Sequence, residues 1–346
     1  YAARCASCHA DEPARSGKDS GPMLEAMANM GRAQISFALT RGKMQMHARD
    51  LSEQDLNHLI AFLAPSARDE WSAEAYLCAN RAIDRRALDE PTISAWGLDA
   101  RNTRYQPNSE LRSDYVQDLE LAWALGLPET AEVRSQVVVA GNTVFASSVG
   151  GHLFALDRTR GCIKWHRHPA QVIRTSLTLA RVDDRPALVF GGALKESTPM
   201  RLSLVDFGQA VFAVAADTGE TLWAQDVALF RGTILTGGIV QHGARLLVPL
   251  SAMGVGFGGD PNFECCKSHG AVRALDANTG RILWTAHMTA EAKPTYKNQL
   301  GVQQWGPSGA SVWTTPTIDA KRNLAYVGTG QNSSSPASSM SDAIVA

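Results

Sequence analysis

Residues 273–284 read "RALDANTGRILW", and two earlier stretches repeat the plan: "FALDRTRGCIKW" at 154–165 and "FAVAADTGETLW" at 212–223. The three end on Trp165, Trp223 and Trp284, at near-constant spacing, and each has a glycine four places earlier (Gly161, Gly219, Gly280). In each, a polar turn closing on glycine joins an apolar strand to one that ends in tryptophan. A unit of that length holds about four short strands, the content of one propeller blade. A β-sandwich with three chance tryptophans is the competing reading, and it leaves the matched glycines unexplained.

Upstream of the first copy, "QVVVAGNTVFASSV" (136–149) places β-branched runs on either side of Gly141-Asn142, a hairpin signal. Downstream of the third, "SVWTTPTIDAKRNLAYVGTGQ" begins a fourth unit, and "DAIVA" resembles the start of its turn phrase. About three and a half units are therefore expected, and the chain reads as a piece of a longer protein.

The N-terminal stretch, 1–65, differs in kind. "CASCH" at Cys5–His9 has the spacing for covalent c-type haem attachment: two thiols for the vinyl groups and an adjacent imidazole for the iron. A zinc knuckle or redox CxxC does not require histidine directly after the second cysteine. In "RGKMQMHARDLSEQDLNHLIAFLA" (41–64), Ser52 and Asp55 form a capping-box-like start, followed by Leu56, Leu59, Ile60 and Leu63 at helical spacing. Taken with Tyr1 and Gly21-Pro22, this segment resembles the cytochrome c family. The resemblance implies that the Pro22 region orients the axial His9 and that a methionine supplies the sixth ligand. Counting from Gly42 selects Met46, with Met44 and His47 as alternatives.

The expected fold class is thus a small all-α cytochrome c domain (1–65), a strap (66–115) that includes "WGLDARNTRYQP" (96–107), and an all-β propeller (116–346). With 33 Lys and Arg against 34 Asp and Glu, the net charge of −1 suggests no nucleic-acid partner. No apolar run approaches the roughly 20 residues of a membrane span.

The repeated phrase resembles the tryptophan-docking repeat of quinoprotein alcohol dehydrogenases, whose complete propellers have eight blades. That resemblance implies pyrroloquinoline quinone on the propeller axis, between a tryptophan floor and a disulfide of adjacent cysteines, with Ca²⁺ alongside. Cys265 and Cys266 of "ECC" fit the lid, against the alternative of two buried free thiols, and their position agrees with the polyvinyl alcohol dehydrogenase branch. Trp313 fits the floor, and Gln136, Arg174, Thr236 and Ser251 fit the donors to the cofactor's carboxylates, with Arg134 a weaker candidate. Glu264 and either Gln331 or Asn332 fit the metal. Once haem and lid are assigned, Cys78 and Cys162 remain, and a bridge between them is expected to pin the strap to the first blade.

On this resemblance the chain oxidises a secondary or polymeric alcohol and passes electrons through haem c to a downstream acceptor such as a cytochrome. The expected location is periplasmic or secreted, and the catalytic base is expected beyond residue 346. A scaffold propeller of the outer-membrane assembly type, built from the same repeat without a quinone, is the alternative, as is a dehydrogenase for another polyol.

Overall fold

A computed structural model describes the whole chain except residues 3, 10–20, 29, 31, 41–43, 65–70, 107–108, 110, 129–132, 171, 195–208, 231 and 259. Gly42, from which the Met46 spacing is counted, and the boundary at 65–66 lie outside the described residues.

Among the described residues, five helices build the N-terminal unit: α1 (Ala6–His9), α2 (Leu24–Ala28), α3 (Arg32–Thr40), α4 (Gln45–Ala48) and α5 (Glu53–Leu63). Helix α5 starts where the sequence expects it, because Ser52 Oγ accepts the Asp55 backbone N–H at 3.0 Å. Such a cap is worth about 1 kcal/mol. Leu56, Leu59 and Leu63 fall on one face and are buried. With Met27, Ile35, Leu39 and Ala48 they form this unit's own core.

Beyond the strap, the named strands pair antiparallel. Blade 1 orders β1 (Val138–Ala140), β2 (Thr143–Ser147), β3 (Leu153–Asp157) and β4 (Ile163–Arg167). In blade 2 the innermost strand is broken into β5 (Val172–Ile173) and β6 (Thr178–Val182), which both pair with β7 (Arg185–Ala193). Strands β8 (Gln209–Ala215) and β9 (Thr221–Asp226) complete it. Blade 3 repeats the device: β10 (Thr233–Ile234) and β11 (Val240–His242) on β12 (Arg245–Ala252), then β13 (Ala271–Asp276) and β14 (Ile282–His287). Further on, β18 (Thr317–Asp319), β19 (Leu324–Gly328) and β21 (Ile344–Val345) form a three-stranded sheet. Two small pairs lie beside it, β15 (Lys293–Lys297) with β16 (Gln303–Gly306) and β17 (Ser308–Gly309) with β20 (Asn332–Ser334).

Each blade is apolar on both faces, so neighbouring blades must bury one another. Phe145, Leu153 and Trp165 of blade 1 pack with Ile173, Leu188, Phe190 and Phe212 of blade 2. Val189, Val211 and Ala213 of blade 2 pack in turn with Leu246, Val248, Leu250 and Leu275 of blade 3.

The repeated tryptophans clasp the blades together. Trp165 Nε1 donates to the Ala216 carbonyl and Trp223 Nε1 to the Ala277 carbonyl, both at 3.1 Å. Each acceptor lies three places before the glycine of the next unit. At that glycine φ is left-handed, +74° in Gly219 and +73° in Gly280. A Cβ there would lie 2.9 Å from the Trp165 ring and 2.7 Å from the Trp223 ring. Only glycine satisfies both the turn and the stacked indole. Trp123, which the repeat spacing does not reveal, makes the same clasp: Nε1 donates to the Arg158 carbonyl at 2.8 Å, and its ring covers Gly161.

The strap is tied to several blades. Ile93 pairs with Val139, Leu179 donates to the Ser94 carbonyl, and Asn102 Nδ2 donates to Thr317 Oγ1 at 2.7 Å. Cys78 and Cys162 are joined, with Cα atoms 5.1 Å apart, which fastens the strap to blade 1. Trp71 adds an edge-on contact with Phe154 and His166. Among the described residues, no helix is long and apolar enough to cross a membrane.

His166 shares a hydrogen bond of 2.9 Å with His152 beneath Trp71. Burial, reinforced by the neighbouring His152, pushes its pKa from the ordinary 6.5 down to about 4. In that window the unfolded chain binds the proton and the folded chain does not, so stability falls as pH drops from about 6.5 toward 4. Urea unfolding at pH 7 and pH 5 checks this: His166→Phe is expected to flatten the acid limb, and an unchanged limb contradicts it.

Candidate functional site

His9 is buried at the end of α1, and its Nδ1 lies 2.8 Å from the Pro22 carbonyl. A carbonyl can only accept, so Nδ1 carries the proton and Nε2 keeps its lone pair for a metal. Gly21 is pressed against the ring, where a Cβ would stand 2.1 Å from His9 Cε1. Cys5 and Cys8 are free thiols, half-buried and exposed respectively. This donor set fits covalent haem. Met44 packs on the unit's core, whereas Met46 on α4 is 57% exposed.

The second cluster lies at one rim of the propeller. The second strand of each blade runs toward it: β7 ends at Ala193, and β12 ends at Ser251 and Ala252. The short strands β5 and β10 pair with those ends, Val172 opposite Ala193 and Ile234 opposite Ser251. Each then breaks away from regular pairing, and Arg174 and Thr236 sit in these breaks. Their neighbours Thr175 and Leu235 both lie against Gly191, where a Cβ would come within 2.8 Å and 2.7 Å of their side chains. That close approach brings the two breaks together.

Thr236 and Ser251 share a hydrogen bond of 3.1 Å, and Ser251 Oγ donates to the Val312 carbonyl at 3.0 Å. Ser251 is thus tied to the residue before Trp313. The Trp313 indole is 62% exposed, an uncovered aromatic face beside a buried hydroxyl, with its Nε1 close over Gly330. Thr315 Oγ1 accepts from Gly238 N–H at 3.0 Å and locks the two stretches together, a contact that sequence reasoning missed. A flat, polar-edged ring fits such a place: an aromatic floor, hydroxyls at the edge, and a guanidinium two places beyond Val172.

Cys265 and Cys266 are bonded to each other. They lie along β16: Cys266 N–H donates to the Trp305 carbonyl, and Trp305 N–H to the Cys265 carbonyl. His269 then bridges to Gly309, four places before Trp313.

Three expected residues have other partners. Gln136 turns its amide to the strap, accepting from Gly97 N–H and donating to the Ala95 carbonyl, each at 3.4 Å. Its backbone N–H still reaches Ser176, two places from Arg174. Glu264, expected to serve a metal with Gln331 or Asn332, pairs with Lys267 at 2.8 Å, which holds its carboxyl below the usual range. Lys267 also lies 4.0 Å over the Trp305 ring. Asn332 spends its amide within its own turn, donating to the Ser334 carbonyl and accepting from Ser338. Calcium needs several uncommitted oxygens. Glu264 and Asn332 do not offer them, and among the described residues no group of three or more acidic, His or Cys side chains could hold a metal ion.

Known proteins resemble the chain along its whole length. Residues 94–337 match the family described as glucose/ethanol/alcohol dehydrogenase, beta-propeller domain, and residues 1–63 match cytochrome C oxidase, cbb3-type, subunit III. Polyvinylalcohol dehydrogenase of a Pseudomonas species is 31% identical over all of this chain and 54% of its own length. The enzyme of that name from Sphingopyxis sp. strain 113P3 is 30% identical over all of this chain and 53% of its own length. This chain therefore spans about half the length of these curated relatives. The solved quinohemoprotein alcohol dehydrogenase ADHIIG of Pseudomonas putida HK5 superposes with a TM-score of 0.53 at 20% identity, covering 73% of this chain and 37% of that one. A docking-tryptophan propeller behind a CxxCH helical unit thus places the chain in the PQQ-dependent alcohol dehydrogenase family, with an N-terminal cytochrome domain.

Proposed function

We propose that the full-length protein oxidises alcohols at the Trp313 rim and passes the electrons to haem held by Cys5, Cys8 and His9. The observation that carries this reading is the exposed Trp313 indole beside the Thr236–Ser251 pair. Pyrroloquinoline quinone, when bound, supplies the two-electron acceptor. The chain's own residues orient it: Trp313 gives the stacking floor, Cys265–Cys266 the opposite lid, and Arg174, Thr236 and Ser251 the edge donors. Gln136 contributes through Ser176 rather than directly. The alcohol becomes a carbonyl compound and loses two electrons and two protons. The electrons leave one at a time by way of the unit that His9 anchors, to an external one-electron acceptor such as a soluble cytochrome. Glu264, paired with Lys267, and Asn332, bonded within its own turn, are not assigned to a Ca²⁺.

The relatives' names support a polymeric alcohol, in the secondary series, as substrate. The resemblance to quinoprotein alcohol dehydrogenases supports eight blades in the complete ring. The Cys78–Cys162 bridge, with covalent haem, supports a periplasmic or secreted location, where disulfides persist.

The test is the visible spectrum of full-length protein given the quinone, Ca²⁺ and a secondary alcohol. Haem reduction is the expected result. An unchanged spectrum in cofactor-loaded protein defeats the enzyme reading and favours a scaffold. Met46→Ala is expected to abolish the long-wavelength band of methionine-ligated ferric haem. If Met44→Ala abolishes it and Met46→Ala does not, the sixth ligand is Met44.

A further inference from the structure

Helix α3 has two faces. Ile35 and Leu39, one helical turn apart, enter the haem unit's own core. Phe37, midway between them, points about 200° round the helix. It is nonetheless only 4% exposed. Its buried neighbours are Val149, Val172 and Ala193, all of the propeller. Phe37 is thus buried by docking between the two units.

The docking place is specific. Val149 follows β2, Ala193 ends β7, and Val172 opens β5 opposite Ala193. The equivalent ends of β12 and β10 in blade 3 carry Ser251 and Ile234, two places before Thr236. Val172 lies two places before Arg174. On the other side, Ala38, next to Phe37, accepts the Met44 N–H at 3.0 Å, which ties α3 to the segment carrying Met46. A continuous path therefore runs from the slot at the Trp313 rim, through Val172 and Phe37, to the segment that carries Met44 and Met46.

We propose that Phe37 is a positioning residue: it seats the haem unit on the slot side of the propeller and so sets the rate at which haem is reduced from the slot. This rests on the redox pairing proposed above. Electron transfer weakens steeply with separation, and a single aromatic anchor in an apolar notch is the usual way a small interface is held. Each alcohol turnover delivers two electrons and two protons, and two ferric haems, or one haem twice, become ferrous. An external one-electron acceptor restores them.

The experiment uses full-length enzyme with both cofactors and the Phe37→Ala variant. Substrate-driven haem reduction in stopped flow is expected to fall about tenfold, the loss of one anchor. Alcohol oxidation coupled to a small dye that accepts electrons directly from the slot is expected to stay unchanged. Phe37→Trp should restore haem reduction. Separately, in quinone-free protein, amide exchange at 172–174 and 192–194 should quicken in Phe37→Ala. Absence of dye-linked oxidation in the unmodified enzyme sinks the proposed function, and the exchange measurement still decides docking. Unchanged exchange, or unchanged haem reduction with dye activity intact, overturns the role of Phe37. Haem-unit integrity is checked by its Soret band, which Phe37→Ala should leave intact because the residue lies outside that unit's core.

Discussion

Cys162→Ser is expected to lower the melting temperature by about 3–7 °C under oxidising conditions, through a loss of about 2–5 kcal/mol. The bridge spans 84 residues and ties a strap with few strands of its own to the first blade. Without it, the unfolded chain regains the freedom of a long loop. The strap keeps the Leu77–Ile163 bridge, the Ile93–Val139 pairing and the Trp71 contacts, so partial rather than complete release is expected. Thermal melting, with Cys78→Ser as the matched control, measures it. The two single variants should behave alike, and a melting temperature within about a degree of the parent would show that the bridge does not hold the strap.

Trp165→Ala is expected to cost about 3–5 kcal/mol, the range for a buried aromatic removed from a packed site. Trp165 is 6% exposed and belongs to the core shared by blades 1 and 2. Gly219→Ala should also destabilise, because φ is +74° there and the new Cβ meets the Trp165 ring. The sharper expectation concerns the pair. With the indole gone, the part of the Gly219→Ala steric cost that comes from the ring disappears, while the contact with the flexible Arg167 side chain and the backbone strain remain. Trp165→Ala/Gly219→Ala should therefore be more stable than the sum of its parts by about 1 kcal/mol or more. Chemical denaturation of all four proteins gives the cycle. Strict additivity contradicts the clasp.

The legible part of the molecule is the part written in periodic or covalent terms. Three Trp–Gly pairs at near-constant spacing define blades whatever fills the other positions. CxxCH, Gly21-Pro22 and the Ser52 cap are local, and local signals survive without coordinates. Trp123 gives no such signal because it stands nearer to Trp165 than one full repeat, with Leu119 where the other copies have glycine. Its partner Gly161 is visible, but a glycine does not name the indole that covers it. Glu264 attracts attention through its place beside the cysteines, while Lys267, one helical turn's worth of chain further on, offers a nearer opposite charge. Gln136 is readable only as a polar group at a strand end, yet the strap brings Ala95 and Gly97 to it from far upstream. Such long-range competition for a polar group leaves no trace in a window of sequence. The docking of Phe37 is equally silent, since a single aromatic between two core positions of a helix reads as surface until a second domain covers it.

The tryptophan clasp has a directional consequence. Every unit carries a plug at its outer strand and, in the turn just before that strand, a socket for its predecessor's plug. Trp165 enters the socket at Gly219, and Trp223 enters the one at Gly280. A stretch of gene cut anywhere within one unit and ending at the same point of the next therefore carries one plug and one matching socket. Duplicating or deleting such a stretch leaves every remaining junction complete, whereas losing a fraction of a unit strands an indole on one side and an open glycine turn on the other. The ring can change size only in whole steps, and its grammar is set by the pairing across blades rather than by the strands within them.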